Sequence, residues 1–162
     1  MRNGEPAQAE ENENVAVNPI YGIGLCGGAL GLELGLEIAL PGYRTIAAVE
    51  WEIAVAGRIA ARVEEGSIHP LAIWDDVATF DGRPWRGKVD IITAGFPCQP
   101  FSVAGQRQGT ADDRWIWPDI VRIIGELYDE PEPGAVQLVF LENVHGLLLD
   151  PDSDSDPFGD LG

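Results

Sequence analysis

Apolar and polar positions follow two periods along the chain. Ile20–Cys26 is a short apolar run that stops at Gly27-Gly28, which predicts a strand entering a tight turn. Leu30, Leu34 and Ile38, with Leu32 and Leu36 between them, then recur at helical spacing and end before Pro41-Gly42. Thr45–Val49 is a β-type run ending at Glu50, and Ile53–Val63 is an alanine-rich helix. Val89–Ala94 is a near-continuous apolar strand bounded by Gly95. Trp117–Tyr128 predicts a third helix, with Pro118 in the first turn, where proline is tolerated. Val136–Leu141 predicts another buried strand.

Strands alternating with helices predict an α/β fold, a mostly parallel sheet with helices on both faces. Such sheets bind ligands beyond the carboxyl ends of their strands. Cys26-Gly27-Gly28, Glu50, Pro97-Cys98 and Glu142 are therefore expected to meet there. Residues 1–17 combine low hydrophobicity with high charge and read as a disordered acidic leader. Residues 18–149 make one domain, and 150–162 read as an acidic tail or the cut-off start of a further element.

Composition narrows the class. No apolar run approaches the ~20 residues that span a bilayer, and the polar, acidic N-terminus has no secretory h-region. A cytoplasmic protein without membrane contact is expected. The two cysteines and two histidines form no metal-ligand spacing, so no zinc site or other metal centre is expected. The formal net charge of −17 opposes tight DNA binding by this chain alone. Half of the ten basic residues nevertheless fall between Arg83 and Arg114, so the charge is unevenly placed.

Two glycine registers compete at the cofactor end. Gly22, Gly24 and Gly27 fit the dinucleotide pattern Gly-x-Gly-x-x-Gly, which would make the chain a nicotinamide-dependent oxidoreductase. Its first glycines, however, fall inside the strand. The second register, Leu25-Cys26-Gly27-Gly28-Ala29-Leu30-Gly31-Leu32, puts the glycines in the turn before the helix, where the backbone can approach a ligand and the helix N-terminus faces an anion. Glu50 ends the second strand, where a carboxylate can accept both hydroxyls of a ribose. Trp51 follows it, and Trp74-Asp75-Asp76-Val77 adds a short acidic loop.

The sharpest signal is Phe96-Pro97-Cys98-Gln99-Pro100-Phe101-Ser102 directly after an apolar strand. A cysteine between proline and glutamine does not describe core packing, whereas Cys26 reads equally well as a small buried hydrophobe. Leu141-Glu142-Asn143-Val144 follows a second apolar strand. Between them, Ser102–Arg114 is polar and punctuated by Gly105 and Gly109.

As an ordered set, glycine turn, Glu-Trp, Asp, Pro-Cys-Gln and Glu-Asn-Val resemble the motifs of the cytosine-5-specific DNA methyltransferases over roughly residues 20–149. The resemblance implies a Rossmann-like fold that binds S-adenosylmethionine (SAM). It implies cofactor contacts from Cys26, Gly27, Gly28, Gly31, Leu32, Glu50, Trp51, Asp76, Val77 and Pro97. Leu30 stands where the family has the first glycine of a pair, a departure expected to narrow the cofactor pocket. Cys98 is then the nucleophile that adds to C6 of a cytosine flipped out of double-stranded DNA. Glu142 holds the N3 edge of the base. Phe96, Gln99, Ser102, Gln106 and Arg107 are the substrate-side candidates, with Ser102–Arg114 resembling the family's mobile loop. The family's arginine motif, recognition domain and final segment have no counterpart here. The resemblance thus implies the N-terminal catalytic portion of an enzyme, incomplete at its C-terminal end, whose activity needs those parts or a second chain that supplies them. The alternative is a non-catalytic SAM-binding remnant or one half of a split enzyme.

Overall fold

A computed structural model describes residues 18–96, 116–128 and 136–143. Its elements are β1 (Ile20–Leu25), α1 (Gly31–Ala39), β2 (Tyr43–Val49), α2 (Ile53–Glu64), β3 (Ala72–Trp74), a 3₁₀ turn (Arg83–Trp85), β4 (Ile91–Gly95), α3 (Trp117–Leu127) and β5 (Leu138–Glu142). The expected leader and tail lie outside the described residues.

The five strands form one sheet in the order β3-β2-β1-β4-β5. Every pairing is parallel. The order reverses at β1, so β1 and β4 flank the crevice in which open α/β sheets take ligands. The predicted parallel α/β architecture is thus the observed one.

Alternation along the strands sorts side chains to two faces. Ile23 and Leu25 of β1, Ala47 and Val49 of β2, and Ile92 and Ala94 of β4 pack with Trp117, Ile120, Ile123 and Leu127 of α3. Ala48 faces the other way and joins Leu30 and Ile59, which brings α2 onto the opposite face. Helices therefore cover both faces, as expected.

One expectation, the burial of β5, needs correction, and two further features go beyond the sequence reading. β3 carries no strong strand pattern of its own; it forms because Ala72, Ile73 and Trp74 pair with Ala47, Ala48 and Val49. β5 was expected to be buried, yet Leu138 and Phe140 are each 45% exposed, because β5 pairs on one side only, with β4, among the described residues. The helical apolar set of α1 also stays largely outside: Leu34 and Ile38 are exposed, and the one residue α1 buries is Glu33.

Candidate functional site

The carboxyl ends of the strands converge as the alternation predicts. The Cys26 amide donates to the Val49 carbonyl, and the Glu50 amide donates to the Trp74 carbonyl, which aligns the exits of β1, β2 and β3. Cys26, Gly28 and Leu30 then turn the chain with φ of 53°, 60° and 65°. Glycine takes this left-handed region freely, whereas other residues pay for a crowded Cβ. Leu30 accepts that cost because its side chain is 7% exposed and packs with Ala48 and Ile59. It is turned into the core, so the expected narrowing of the pocket by Leu30 is not what the fold produces. The Gly-x-Gly-x-x-Gly reading fails on geometry, since Gly22 and Gly24 lie within β1 and not in the turn.

Glu50 is the best-anchored polar group of the turn. It is 9% exposed. Its Oε2 accepts from the Gly28 amide at 3.1 Å and its Oε1 from the Glu52 amide at 2.8 Å. Each oxygen keeps a further lone pair, so the carboxylate can receive two hydroxyl donors without losing its anchors. Trp51, beside it, is 74% exposed, a large ring with little of its own chain to cover it. A groove of about 530 Å³ between α2 and β3 is lined by Glu50 and Trp51 together with Ile53, Ala56, Ile73 and Trp74 among others.

Asp76 caps its own turn: Oδ1 accepts from the Ala78 amide at 2.9 Å. Its charge and that of Glu50 act on Cys26, after desolvation the next causes that push the Cys26 thiol up to about 12. Cys26 is thus a neutral thiol beside two carboxylates, which suits a packing role and not a nucleophilic one. Val77 is buried next to Asp76. Arg122 of α3, which carried no motif, holds this loop: its guanidinium donates to the carbonyls of Val77 at 2.8 Å and Phe80 at 2.9 Å. Glu126, one turn on, pairs with Arg122 at 3.0 Å and accepts from the Gly82 amide at 2.8 Å. An arginine and a glutamate four apart on a helix normally read as a solvated pair, and so neither stood out in the sequence.

At the other end of the site β4 and β5 finish side by side, with Gly95 opposite Glu142. A Cβ on Gly95 would lie 3.6 Å from the Cys26 carbonyl, 3.9 Å from Glu142 Oε2 and 3.9 Å from the Gly27 Cα. The absent side chain therefore leaves the glycine turn and the Glu142 carboxylate facing one space. Asn143 Nδ2 donates to the Phe96 carbonyl at 3.1 Å and ties the exit of β5 to that of β4. Phe96 is buried and meets Trp117 with ring centroids 5.6 Å apart. Its ring packs into the core below the exits of β4 and β5. Gly31 and Leu32 begin α1 directly after the turn. Pro97, Cys98, Gln99, Ser102, Gln106 and Arg107 lie outside the described residues. Among the described residues no group of three acidic, histidine or cysteine side chains is placed to hold a metal, and no helix is long and apolar enough to cross a membrane.

Residues 20–155 match the family model of the C-5 cytosine-specific DNA methylases. The chain belongs to that family. Among its relatives, the Type II methyltransferase M.NgoMIV of Neisseria gonorrhoeae is 36% identical over 124 residues, which are 76% of this chain and 35% of that protein. M.PspPI of a Psychrobacter strain is 36% identical over 140 residues, 83% of this chain and 30% of that protein. The chain thus spans about a third of the length of these methylases. Among solved structures, the Dnmt2 methyltransferase of Schizosaccharomyces pombe superposes with a TM-score of 0.56 at 15% identity, over 80% of this chain and 36% of that one. That likeness fixes the Rossmann-like methyltransferase fold.

Proposed function

We propose that this chain is the cofactor-binding and nucleophile-bearing part of a DNA cytosine-5 methyltransferase, working with segments that complete the family's length. The observation that carries the reading is the convergence over Gly95, where the glycine turn and Glu142 face one space just before Pro97-Cys98. When bound, SAM supplies an electrophilic methyl group. The residues present fit it: Glu50 is already held by two backbone amides with lone pairs to spare for the ribose. Trp51 and Cys26 offer apolar surfaces for an adenine, with Asp76 and Val77 at its polar edge. The turn from Gly27 and Gly28 to Gly31 and Leu32 presents amides at the start of α1 to a carboxylate, and Pro97 is assigned as a further cofactor contact by its place in the motif.

Cys98 adds as a thiolate to C6 of a flipped cytosine, which raises the electron density at C5. Glu142 holds N3 and the exocyclic amine during that attack. Asn143 fixes the direction of Glu142 through the Phe96 carbonyl. After transfer, loss of the C5 proton and expulsion of the Cys98 thiolate restore the aromatic ring. Gln99, Ser102, Gln106 and Arg107 contact the DNA, which is extruded at one nucleotide because the ring carbon is hidden in the duplex. The acidic total charge assigns most phosphate neutralisation to the completing segments.

Calorimetric titration of the chain with SAM tests the cofactor half, with Glu50→Ala as the comparison. Saturable binding that Glu50→Ala abolishes supports it, and a folded chain that binds no SAM overturns it. Trapping with 5-fluorocytosine DNA, after adding the completing segments of a relative, tests the catalytic half. A covalent adduct on the Cys98 peptide is the expected result, and an adduct that persists in Cys98→Ser refutes the assignment.

A further inference from the structure

A carboxyl group lies buried beneath the glycine turn without a cation among the described residues. Glu33 is 2% exposed. Its Oε1 accepts a hydrogen bond from the Thr93 hydroxyl of β4, and its Oε2 is buried without a hydrogen-bond partner. Among the described residues the ion pairs involve other acids. Burying a carboxylate unpaired is expensive, and a helix with no use for it would carry an apolar residue there. The N-terminus of α1, whose first turn holds Glu33, offsets part of that cost by its dipole.

The niche is made by two missing side chains. A Cβ on Gly24 would sit 2.4 Å from Glu33 Oε1. That is about the span from Cβ to a carboxyl oxygen within one aspartate side chain. Glu33 therefore delivers from the helix a carboxyl that an aspartate at the end of β1 would otherwise place in the same spot. A Cβ on Gly27 would point at the same group, 3.1 Å from Oε1 and 3.3 Å from Oε2. The carboxyl thus lies directly under the turn, and at Gly27 no side chain stands in between.

We propose that Glu33 is the cofactor-positioning carboxylate that receives the α-ammonium of the methionine arm of SAM. The proposal rests on the SAM reading of the turn. The same turn presents amides to the α-carboxylate, and the ammonium is attached to the same carbon as that carboxylate. An amino acid arm laid on the turn therefore brings its cation to the unpartnered oxygen. Binding supplies a counter-charge that the described residues do not, and the arm is fixed at both of its charged groups.

The test compares S-adenosylhomocysteine with its deamino analogue, in which hydrogen replaces the amino group, by calorimetry on the full chain. The wild type is expected to prefer the amino ligand by roughly 10- to 100-fold, the range of a charge-assisted hydrogen bond. Glu33→Gln should lose that preference while binding the deamino analogue as the wild type does. Gly24→Asp/Glu33→Ala should restore the preference, because the niche needs the carboxyl and not the helix that brings it. A Glu33→Gln protein that keeps the wild-type preference overturns the assignment and leaves the SAM reading standing. A folded wild type that binds neither ligand overturns both. If Glu33→Gln does not fold, the double variant decides: a retained preference supports the role and a lost one refutes it.

Discussion

Replacing Leu30 with alanine and, separately, with glycine isolates the backbone strain of the turn from the packing that compensates it. Leu30 has φ 65° and ψ 41° at the N-cap of α1 and is 7% exposed. Truncating a buried leucine to alanine costs about 2–5 kcal/mol. The alanine keeps a Cβ in the left-handed region, so the cost of about 1–2 kcal/mol for that conformation persists. Glycine loses the same packing and one further buried carbon, but it relieves the strain. At an ordinary position alanine is favoured over glycine by roughly 0.5–1 kcal/mol. Here that order should vanish or reverse, with Leu30→Gly at least as stable as Leu30→Ala and both below the wild type. Urea unfolding with a common m-value measures the difference directly. A glycine variant about 1 kcal/mol less stable than the alanine variant would refute the claim that strain is stored at this residue.

Other perturbations follow from the same geometry. Gly24→Ala puts a Cβ 2.4 Å from Glu33 Oε1 and should destabilise by roughly 1–3 kcal/mol, a loss that adding Glu33→Ala removes in thermal melts. Arg122→Met frees the carbonyls of Val77 and Phe80; it should cost about 1–3 kcal/mol in urea and weaken SAM binding through the displaced Asp76 loop. Burial, with Glu50 and Asp76 adding to it, raises the Cys26 thiol from 9.0 to about 12, and burial raises the Tyr43 hydroxyl from 10.0 to about 12. The unfolded chain releases these protons first, so stability should fall as pH rises from about 9 to about 12. Urea midpoints across that window should fall less steeply in Cys26→Ala, and an unchanged slope would count against the burial of the thiol. For the same reason iodoacetamide at pH 8 should spare the Cys26 peptide in the folded chain and label it in urea, which peptide mass spectrometry reads.

Much of the frame is legible in the sequence. The continuous apolar runs at Ile20–Cys26 and Val89–Ala94, each closed by glycine, read as buried strands of a parallel sheet, and they are β1 and β4. The alternation of strands with helices implied that Glu50 and Glu142 sit at strand exits, because a parallel sheet puts all its carboxyl ends on one edge. The identity of the turn was also local information, since glycines between a strand and a helix describe a close backbone approach.

The remainder depended on partners distant in the chain. Ala72–Trp74 became a strand through pairing with β2 and not through a propensity of its own. The helical period of α1 groups Leu34 and Ile38 with Leu30, yet Leu34 and Ile38 are exposed while Leu30 and Glu33 are buried. A period reports which residues share a face, and only the packed sheet decides which face is covered. Arg122 looked like one half of a surface pair until the fold brought the carbonyls of a loop more than 40 residues away within its reach. By itself the sequence determined all the strands but β3, the helices, the parallel arrangement and the edge where the site residues were expected to meet, because these follow from apolar period and glycine placement. Only the tertiary structure decided which carboxyls are buried, which backbone angles are strained and which side chains hold the site together, because those depend on neighbours that no local pattern encodes.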